Sequence, residues 1–304
     1  MRTFRLAGLA VALACATTLT ACGIGGDDSA TSEVADQPAA TGAANPEIAK
    51  LIPPEAKDRG YVTVVTDVTY PPFGMLEKDG KTMTGIDVDM AEALEPLFGV
   101  EVRIVNASFD AFIPGLQAKR YDAGFNAITD LPERRKVVDF VDWQENGGMF
   151  LTVPGSSLKV TELTSVCGHS VGAEKGSDTV PMLNGLAPRC KAAGQQPVDV
   201  KVYGSQSDAL VALTSGRVES VLAGSTGGYL AAESNGKYEV NGPVMPTLEG
   251  KYDLSGLALP KGSALTQAFL AGVKQLYTDG TLKKIYTKYG LESARFVEPA
   301  VNAA

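Results

Sequence analysis

The sequence predicts an α/β protein built from two similar lobes, and two observations support this. Segments with strand character alternate with segments of helical periodicity along most of the chain, which is the βαβ rhythm of a parallel sheet. After residues 149–153 the same rhythm begins again, so the pattern indicates a second sheet. About 250 residues remain beyond the N-terminal region, which suits one large domain or two ordinary ones.

Residues 1–21 have the form of a secretory signal. Arg2 and Arg5 precede an apolar run of about ten residues from Leu6, which is too short to span a bilayer as a stable helix. The run ends in Leu-Thr-Ala-Cys at residues 19–22, which resembles a bacterial lipobox. This resemblance implies that Cys22 carries diacylglycerol and an N-acyl chain such as palmitate. The alternative is an ordinary signal peptide in which Cys22 is incidental.

Residues 22–49 are predicted to be a flexible tether. From Gly23 to about Asn45 the composition is rich in Gly, Ala, Ser, Thr, Asp and Pro and contains no aromatic residue, so the segment cannot bury a core. Signal and tether together predict a body held by lipid on the outer face of the plasma membrane.

Composition and cysteine usage argue against several functional classes. The formal net charge is −8 and the basic residues are scattered, so nucleic acid is not an expected partner. With His169 the only histidine and no catalytic signature present, we expect no metal, no cofactor and no enzymatic chemistry. Cys15 leaves with the signal and Cys22 takes the lipid, so Cys167 and Cys190 are expected to form a disulfide.

The pattern predicts the elements of the first half in order. Strands are expected over residues 63–67, 101–105 and 123–125, and helices over 87–98 and 112–119. Pro132 favours a helix start that carries Glu133 and Arg134 in its first turn.

The second half repeats these signals. Strands are expected over residues 170–173, 198–202 and 220–222, and helices over 207–213 and from about 226. In a later helix, Leu265, Phe269, Val273 and Leu276 fall on one face, which predicts packing on a core.

Two aromatic residues follow the first predicted strand on a stiff turn. Residues 66–73 read Thr-Asp-Val-Thr-Tyr-Pro-Pro-Phe, and the two prolines stop any helix or ladder, so Tyr70 and Phe73 lie at the strand's end. Open α/β sheets place ligands at that end. Rigid aromatic faces there would cover the apolar part of a small ligand, although both rings could instead belong to the core.

Three segments in this order resemble the extracellular solute-binding proteins of family 3, which deliver amino acids and related polar molecules to ABC importers. They are residues 66–73, Gly-Ile-Asp-Val-Asp at 85–89, and Thr-Asp-Leu-Pro-Glu-Arg at 129–134. Residues 255–263, 279–282 and 284–290 extend the resemblance over roughly 60–291.

The resemblance implies a type II periplasmic-binding-protein-like fold, in which two βα sheets are joined by a two-stranded hinge and close around a ligand. The crossings are expected near residues 149–153 and 253–259. Residues 50–150 and 254–297 would form lobe 1, residues 151–253 lobe 2, and residues 298–304 a tail.

The resemblance also implies ligand contacts on the first lobe. Arg134 would hold the ligand's carboxylate, because a guanidinium meets a carboxylate with two parallel bonds. Considered by itself, the run 133–136 would also suit a solvated helix face. Thr129 matches the position whose hydroxyl bonds the ligand, and Asn126 lies on the same loop. The predicted contacts of this lobe are Asp67, Tyr70, Phe73, Phe109, Asn126, Thr129 and Arg134.

On the second lobe the predicted contacts are Ser177, Asp178 and Gly224, and two of them depart from the family pattern. The loop Gly-Ser-Asp-Thr at residues 176–179 would receive the carboxylate on its backbone N–H groups. Asp178 would repel that carboxylate unless it turns away or meets a cationic group. Gly224 stands where many members place the acid that holds the α-ammonium, so Asp67, Asp178 or another acid takes it, or the ligand has none.

The sequence therefore predicts a monomeric substrate-binding lipoprotein that captures a small carboxylated or zwitterionic solute and passes it to a membrane permease. An enzyme on the same scaffold, dehydrating small cyclic acids, is the alternative from another class. A solute sensor for a receptor kinase is a further alternative.

Overall fold

A computed structural model describes residues 45–224, 229–230 and 236–304. The predicted signal, the lipid site at Cys22, most of the tether and the predicted helix start near residue 226 lie outside the described residues. Within the described ranges, no helix is both long enough and apolar enough to cross a membrane.

Strands and helices alternate along the described chain. The strands are β1 (Tyr61–Thr66), β2 (Met75–Leu76), β3 (Met83–Thr84), β4 (Glu101–Asn106), β5 (Ala123–Thr129), β6 (Val138–Asn146), β7 (Met149–Thr152), β8 (Ser170–Glu174), β9 (Asp199–Tyr203), β10 (Ser220–Ala223), β11 (Glu239–Val240), β12 (Asp253–Pro260) and β13 (Phe296–Val301). The helices are α1 (Pro46–Lys50), α2 (Pro54–Arg59), α3 (Ile86–Phe98), α4 (Phe112–Gln117), α5 (Thr179–Asn184), α6 (Ala187–Ala192), α7 (Gln206–Thr214), α8 (Thr266–Thr278) and α9 (Thr281–Lys288).

The first lobe is built on a six-stranded sheet with the order β13-β6-β12-β5-β1-β4. Its strands β1, β4 and β5 are parallel, and α3 and α4 lie between them in the chain. The remaining three strands add in antiparallel fashion. The parallel part carries the predicted βαβ rhythm, and it brings the carboxyl ends of β1 and β5 to one edge.

The second lobe is built on a five-stranded sheet with the order β11-β7-β10-β8-β9. Strand β8 is parallel to both β9 and β10, whereas β7 is antiparallel to β10. The carboxyl ends of β8 and β10 therefore lie side by side.

The chain crosses between the sheets slightly before the predicted positions. It leaves β6 at Asn146 and enters β7 at Met149, so residues 147–148 form the outward crossing. On the return, Asp253 opens β12 directly beside Asn146. Most of the segments predicted as crossings, 149–153 and 253–259, belong instead to the hydrogen-bonded strands β7 and β12.

Each sheet has its own hydrophobic core. In the first lobe, the predicted face of α8 is confirmed, since Leu265, Phe269, Val273 and Leu276 are all buried in that core. The second lobe has a smaller cluster that includes the bonded pair Cys167–Cys190, with Cα atoms 5.5 Å apart. The predicted disulfide is thus confirmed.

Both ends of the described chain carry more structure than the sequence pattern suggests. Asn45 accepts hydrogen bonds from two backbone N–H groups at the start of α1, and Ile48 packs into the first core, where a tether is predicted. Residues 298–301 of the predicted tail instead belong to β13, which pairs with β6 at the sheet's edge. Pro299 is compatible with this position, because an edge strand does not need every N–H group.

Candidate functional site

A small pocket lies between the two sheets. Strands β1, β5, β8 and β10 all end at or near it, which is the usual ligand position in open α/β sheets. Its lining residues come from both lobes: Tyr70, Phe109, Asn126, Ala127, Thr129, Asn146, Glu174, Ser177, Asp178, Thr179, Gln206 and Gly224.

The two predicted aromatic residues have different places. Tyr70 lines the pocket and stacks on Phe73, with ring centroids 6.0 Å apart and planes 10° apart. Phe73 is only 1% exposed and packs edge-on against Tyr286 in the core. The prediction that Phe73 contacts the ligand is therefore not reproduced, because the stack places it behind Tyr70. It supports the ring that faces the cleft.

Asp67 also lies behind the pocket wall. Its carboxylate accepts hydrogen bonds from the backbone N–H of Thr69 at 2.8 Å, the Thr69 hydroxyl at 2.6 Å and the backbone N–H of Phe109 at 2.9 Å. The side chain ties the turn that carries Tyr70 to the turn that carries Phe109. In this arrangement it fixes the spacing of the two aromatic walls.

Strained backbone occurs where β5 meets the pocket. Asn126 and Ala127 have φ values of 99° and 47°, a region that non-glycine residues seldom adopt and that clusters at functional sites. Asn126 is 2% exposed, and its Oδ1 has no hydrogen-bond partner among the described residues. A buried acceptor of this kind is suited to a donor on a bound molecule.

Arg134 joins the two lobes. Its Nη1 donates to the Thr129 carbonyl and its Nη2 to the Gly176 carbonyl, each at 2.8 Å. It follows β5 on a 3₁₀ turn, Arg134–Lys136, in place of the predicted helix. Burial lowers its pKa, against the opposing influence of Asp178. Arg134 does not line the pocket wall itself, but it lies directly behind Thr129.

A carboxylate from the second lobe contacts the hydroxyl of Thr129, which is predicted to bind the ligand. The Thr129 hydroxyl donates to Asp178 Oδ2 at 3.0 Å and accepts from Asn146 Nδ2 at 3.0 Å. Asp178 therefore does not turn away from the predicted carboxylate site, since its own carboxylate lies at that hydroxyl.

Further polar contacts cross the cleft beside the pocket. Lys175 of the second lobe forms an ion pair with Asp110 of the first at 2.7 Å. The Ser207 hydroxyl donates to the Thr69 carbonyl at 2.8 Å. The two walls are consequently held against one another on more than one side of the pocket.

The loop predicted to receive a carboxylate is tied to the strand before it. The hydroxyl of Ser177 donates to the Glu174 carbonyl at 2.7 Å and lies 2.6 Å from the Thr179 hydroxyl. Gly176 has φ of +83°, and a Cβ there would come within 3.0 Å of the Asp110 Cα. Glycine at this position therefore permits close approach of the lobes.

Gly224 lies at the pocket with little space beside its Cα. A Cβ built there would meet the Tyr70 hydroxyl at 2.8 Å and Asn146 Oδ1 at 3.5 Å. The aromatic wall of the first lobe thus occupies the volume that an acidic side chain at this position would need.

Sequence reasoning missed five lining residues: Ala127, Asn146, Glu174, Thr179 and Gln206. The most informative is Glu174, which is 3% exposed and accepts a hydrogen bond from the backbone N–H of Gln206 at 3.1 Å. Burial, followed by the charge of Asp67, raises the pKa of Glu174 to about 8. Its position as a charged residue at the carboxyl end of a strand was the available signal.

Comparison with known proteins is consistent with this geometry. Residues 62–292 match the model of the bacterial extracellular solute-binding proteins, family 3. The chain belongs to this family. It is 29% identical to the arginine-binding protein ArgT of Corynebacterium glutamicum, with 84% of this chain and 83% of that protein covered. It is 30% identical to the L-arginine-binding protein of Pseudomonas aeruginosa, with coverages of 75% and 87%.

A similar solved structure has the same two-lobe fold. An ancestral arginine-binding protein bound to arginine superposes with a TM-score of 0.64 at 30% identity, covering 76% of this chain and 98% of that one. The predicted fold class is therefore confirmed.

Proposed function

We propose that this protein is the substrate-binding lipoprotein of an ABC importer, and that it captures an amino acid in the pocket between its lobes without transforming it. The observation that carries the proposal is the meeting of Thr129, Arg134 and the 176–179 loop at one corner of that pocket. Membership of family 3 supports a role in solute capture.

The ligand's carboxylate is assigned to the corner next to Thr129. The Thr129 hydroxyl donates to Asp178 Oδ2 at 3.0 Å, so a ligand carboxylate has to displace the side chain of Asp178 from this hydroxyl. Arg134 lies one contact away, since its guanidinium donates to the Thr129 carbonyl. A ligand carboxylate would replace the contacts that Thr129 and Arg134 make with the second lobe.

Amino acids with a cationic side chain are the first candidates. The pocket wall carries the carboxyl groups of Glu174 and Asp178, and among the described residues no lysine or arginine lines it. An apolar stem could lie between Tyr70 and Phe109, since flat aromatic faces cover such a stem at low entropic cost. Two of the relatives described above are named for arginine binding, which agrees with this charge balance.

A thermal-shift screen of the purified chain tests the ligand class. L-arginine, L-lysine, L-cystine, neutral amino acids, polyamines and small organic acids would be compared at equal concentration. A ligand that binds only the native state adds about 2.7 kcal/mol of stability at a hundredfold excess over Kd, which gives a clear rise in Tm. The proposal is wrong if no amino acid raises Tm while another solute class does.

The anchor is proposed to be lipid on Cys22, which would hold the protein on the outer face of the plasma membrane beside its permease. Cys22→Ser removes the acyl attachment point and leaves the apolar signal run intact. We expect the variant to be released into the soluble fraction. Complete retention of the variant with membranes would contradict the lipid anchor.

A further inference from the structure

The missing acid at Gly224 leaves a charge to be supplied elsewhere in the pocket. An acid cannot simply be restored at this position, because the Tyr70 hydroxyl and Asn146 occupy the adjoining space. A ligand with an α-ammonium group needs a carboxylate close to the same strand end, since a buried charge without a partner is strongly disfavoured.

The register of the second sheet places such a carboxylate on the neighbouring strand. Ser220 pairs with Val171 and Val221 with Gly172 in the parallel ladder of β10 and β8. Two further steps along this register put Glu174 beside Ala223, which immediately precedes Gly224. Both Glu174 and Gly224 line the pocket. One strand end therefore carries the acid that the next strand end lacks.

The surroundings of Glu174 favour a cationic partner. Among the described residues no lysine, arginine or histidine forms an ion pair with it, and the nearby Lys175 pairs with Asp110 instead. The charges that act most strongly on Glu174 are those of Asp67, Asp110 and Asp178, and all three are carboxylates. A buried carboxyl group among other carboxylates is stabilised as an anion when a cation binds next to it.

We propose that Glu174 accepts the α-ammonium group of the ligand and replaces the acid that family members carry at the position of Gly224. This inference rests on the proposed amino-acid-binding function and deepens it. The competing role is purely structural, because Glu174 Oε1 also accepts the backbone N–H of Gln206 at the start of α7. Glu174→Gln keeps an oxygen for that N–H group, so it separates the two roles.

Calorimetry with a matched ligand pair provides the test. L-arginine is compared with 5-guanidinopentanoate, which lacks only the α-amino group, on the full-length protein and on Glu174→Gln. The wild type should prefer arginine by at least about tenfold, as expected for a hydrogen-bonded charge pair. In Glu174→Gln the preference should fall below about threefold, mainly through weaker arginine binding. The exposed acid Glu219, changed to Gln, serves as the control and should leave the preference intact.

Two outcomes overturn the assignment. One is an unchanged preference in a folded Glu174→Gln protein, which would reduce Glu174 to its structural role. The other is a variant that loses discrimination between arginine and its neutral isostere citrulline but keeps the α-amino preference, because Glu174 would then face the ligand's side chain. If arginine fails and another amino acid binds, that amino acid and its deaminated analogue replace the pair. If the wild type binds no amino acid at all, the proposed function itself fails.

The number of protons released on ligand binding also separates the two roles, because a purely structural Glu174 would not change it. With its pKa raised to about 8, Glu174 is mostly protonated at pH 7 in the ligand-free pocket, and it must ionise to hold an ammonium group. Arginine binding at pH 7 should therefore release close to one proton. Titrations in two buffers of different ionisation enthalpy measure this number. Glu174→Gln should release almost none, whereas equal release from both proteins would contradict the proposal.

Discussion

The two walls of the cleft differ in how their chemistry is written into the chain. On the first lobe, Tyr70, Thr129 and Arg134 belong to continuous motifs at the ends of β1 and β5, in the spacing typical of family 3. On the second lobe, Glu174 ends β8 and Gly224 directly follows β10, and the register of these neighbouring strands places both at one edge of the sheet. In the proposed binding mode, the first wall receives the ligand's carboxylate and the second wall supplies the acid for its ammonium group.

The largest expected effect is on the pH dependence of folding stability, to which buried acids of the first lobe contribute. Asp87, under the first wall, accepts the Thr66 hydroxyl at 2.5 Å, and burial raises its pKa to about 7. Because the pKa of Asp87 is higher in the folded than in the unfolded state, the stability that this group contributes is fully present below about pH 4. That contribution is lost as the pH rises through about 7. Asp142 and Asp253, with pKa values also raised by burial, act in the same direction.

Asp87→Asn should therefore reduce the fall in the free energy of unfolding with rising pH. The reduction should be up to several kcal/mol, at about 1.4 kcal/mol per pKa unit. Urea unfolding of both proteins at pH 5 and pH 8 measures the difference. An equally steep loss in the variant would show that Asp87 does not titrate in this range. Ligand should shift the titration of Glu174 on the opposite wall and leave that of Asp87 in place.

The disulfide should give the next largest effect and should distinguish the lobes. Cys167 and Cys190 enclose 23 residues of sequence separation within the second lobe, and closing a loop of this size contributes about 3 kcal/mol in the chain-entropy model. Reduction should speed hydrogen exchange in β8 and α6 while β1 and β4 stay protected. Uniform loss of protection over both sheets would contradict independent lobe cores.

Arg134→Ala tests the first wall directly and should weaken amino-acid binding by at least about thirtyfold. Truncating one side of a desolvated charge pair costs about 2 to 5 kcal/mol, and about 2 kcal/mol corresponds to this factor. Arg134→Lys should recover only part, because an ammonium cannot reproduce the planar fork. Lys136→Ala, an exposed charge on the same turn, is the control. If calorimetry shows that folded Arg134→Ala binds the ligand less than about threefold more weakly, Arg134 does not bind the carboxylate. It would then be a solvated residue or a bridge between the lobes.

Gly224→Ala should have the smallest effect, about threefold to tenfold weaker binding, equivalent to about 1 kcal/mol. The added Cβ would lie 2.8 Å from the Tyr70 hydroxyl, which is the far end of a movable side chain, so the ring can shift at modest cost. Tyr70→Phe should relieve part of the loss in the double variant. A loss as large as that of Arg134→Ala would show that the wall at Gly224 is rigid.

The sequence predicted most helices and strands, because the hydrophobic periodicity of each element and the residues that end it lie close together in the chain. The predicted helix over residues 87–98 is observed as α3 (Ile86–Phe98), and the strand over 101–105 as β4. Pro132 misled the prediction at Arg134, where a single 3₁₀ turn suffices before β6 begins. The strand β13 was missed since an edge strand with a proline has weak local signals, and its partner β6 lies about 150 residues away in sequence.

By itself the sequence determined the α/β class, the two-lobe organisation, the disulfide pair and the first wall's motif, because each depends on residues close in the chain or few in number. Only the tertiary structure placed Phe73 behind Tyr70, directed Arg134 to carbonyls of both lobes, and brought Glu174 and Gly224 to the same pocket. Those outcomes depend on sheet register and on packing between lobes. Contacts between residues distant in sequence set both, so no single segment of the sequence specifies them.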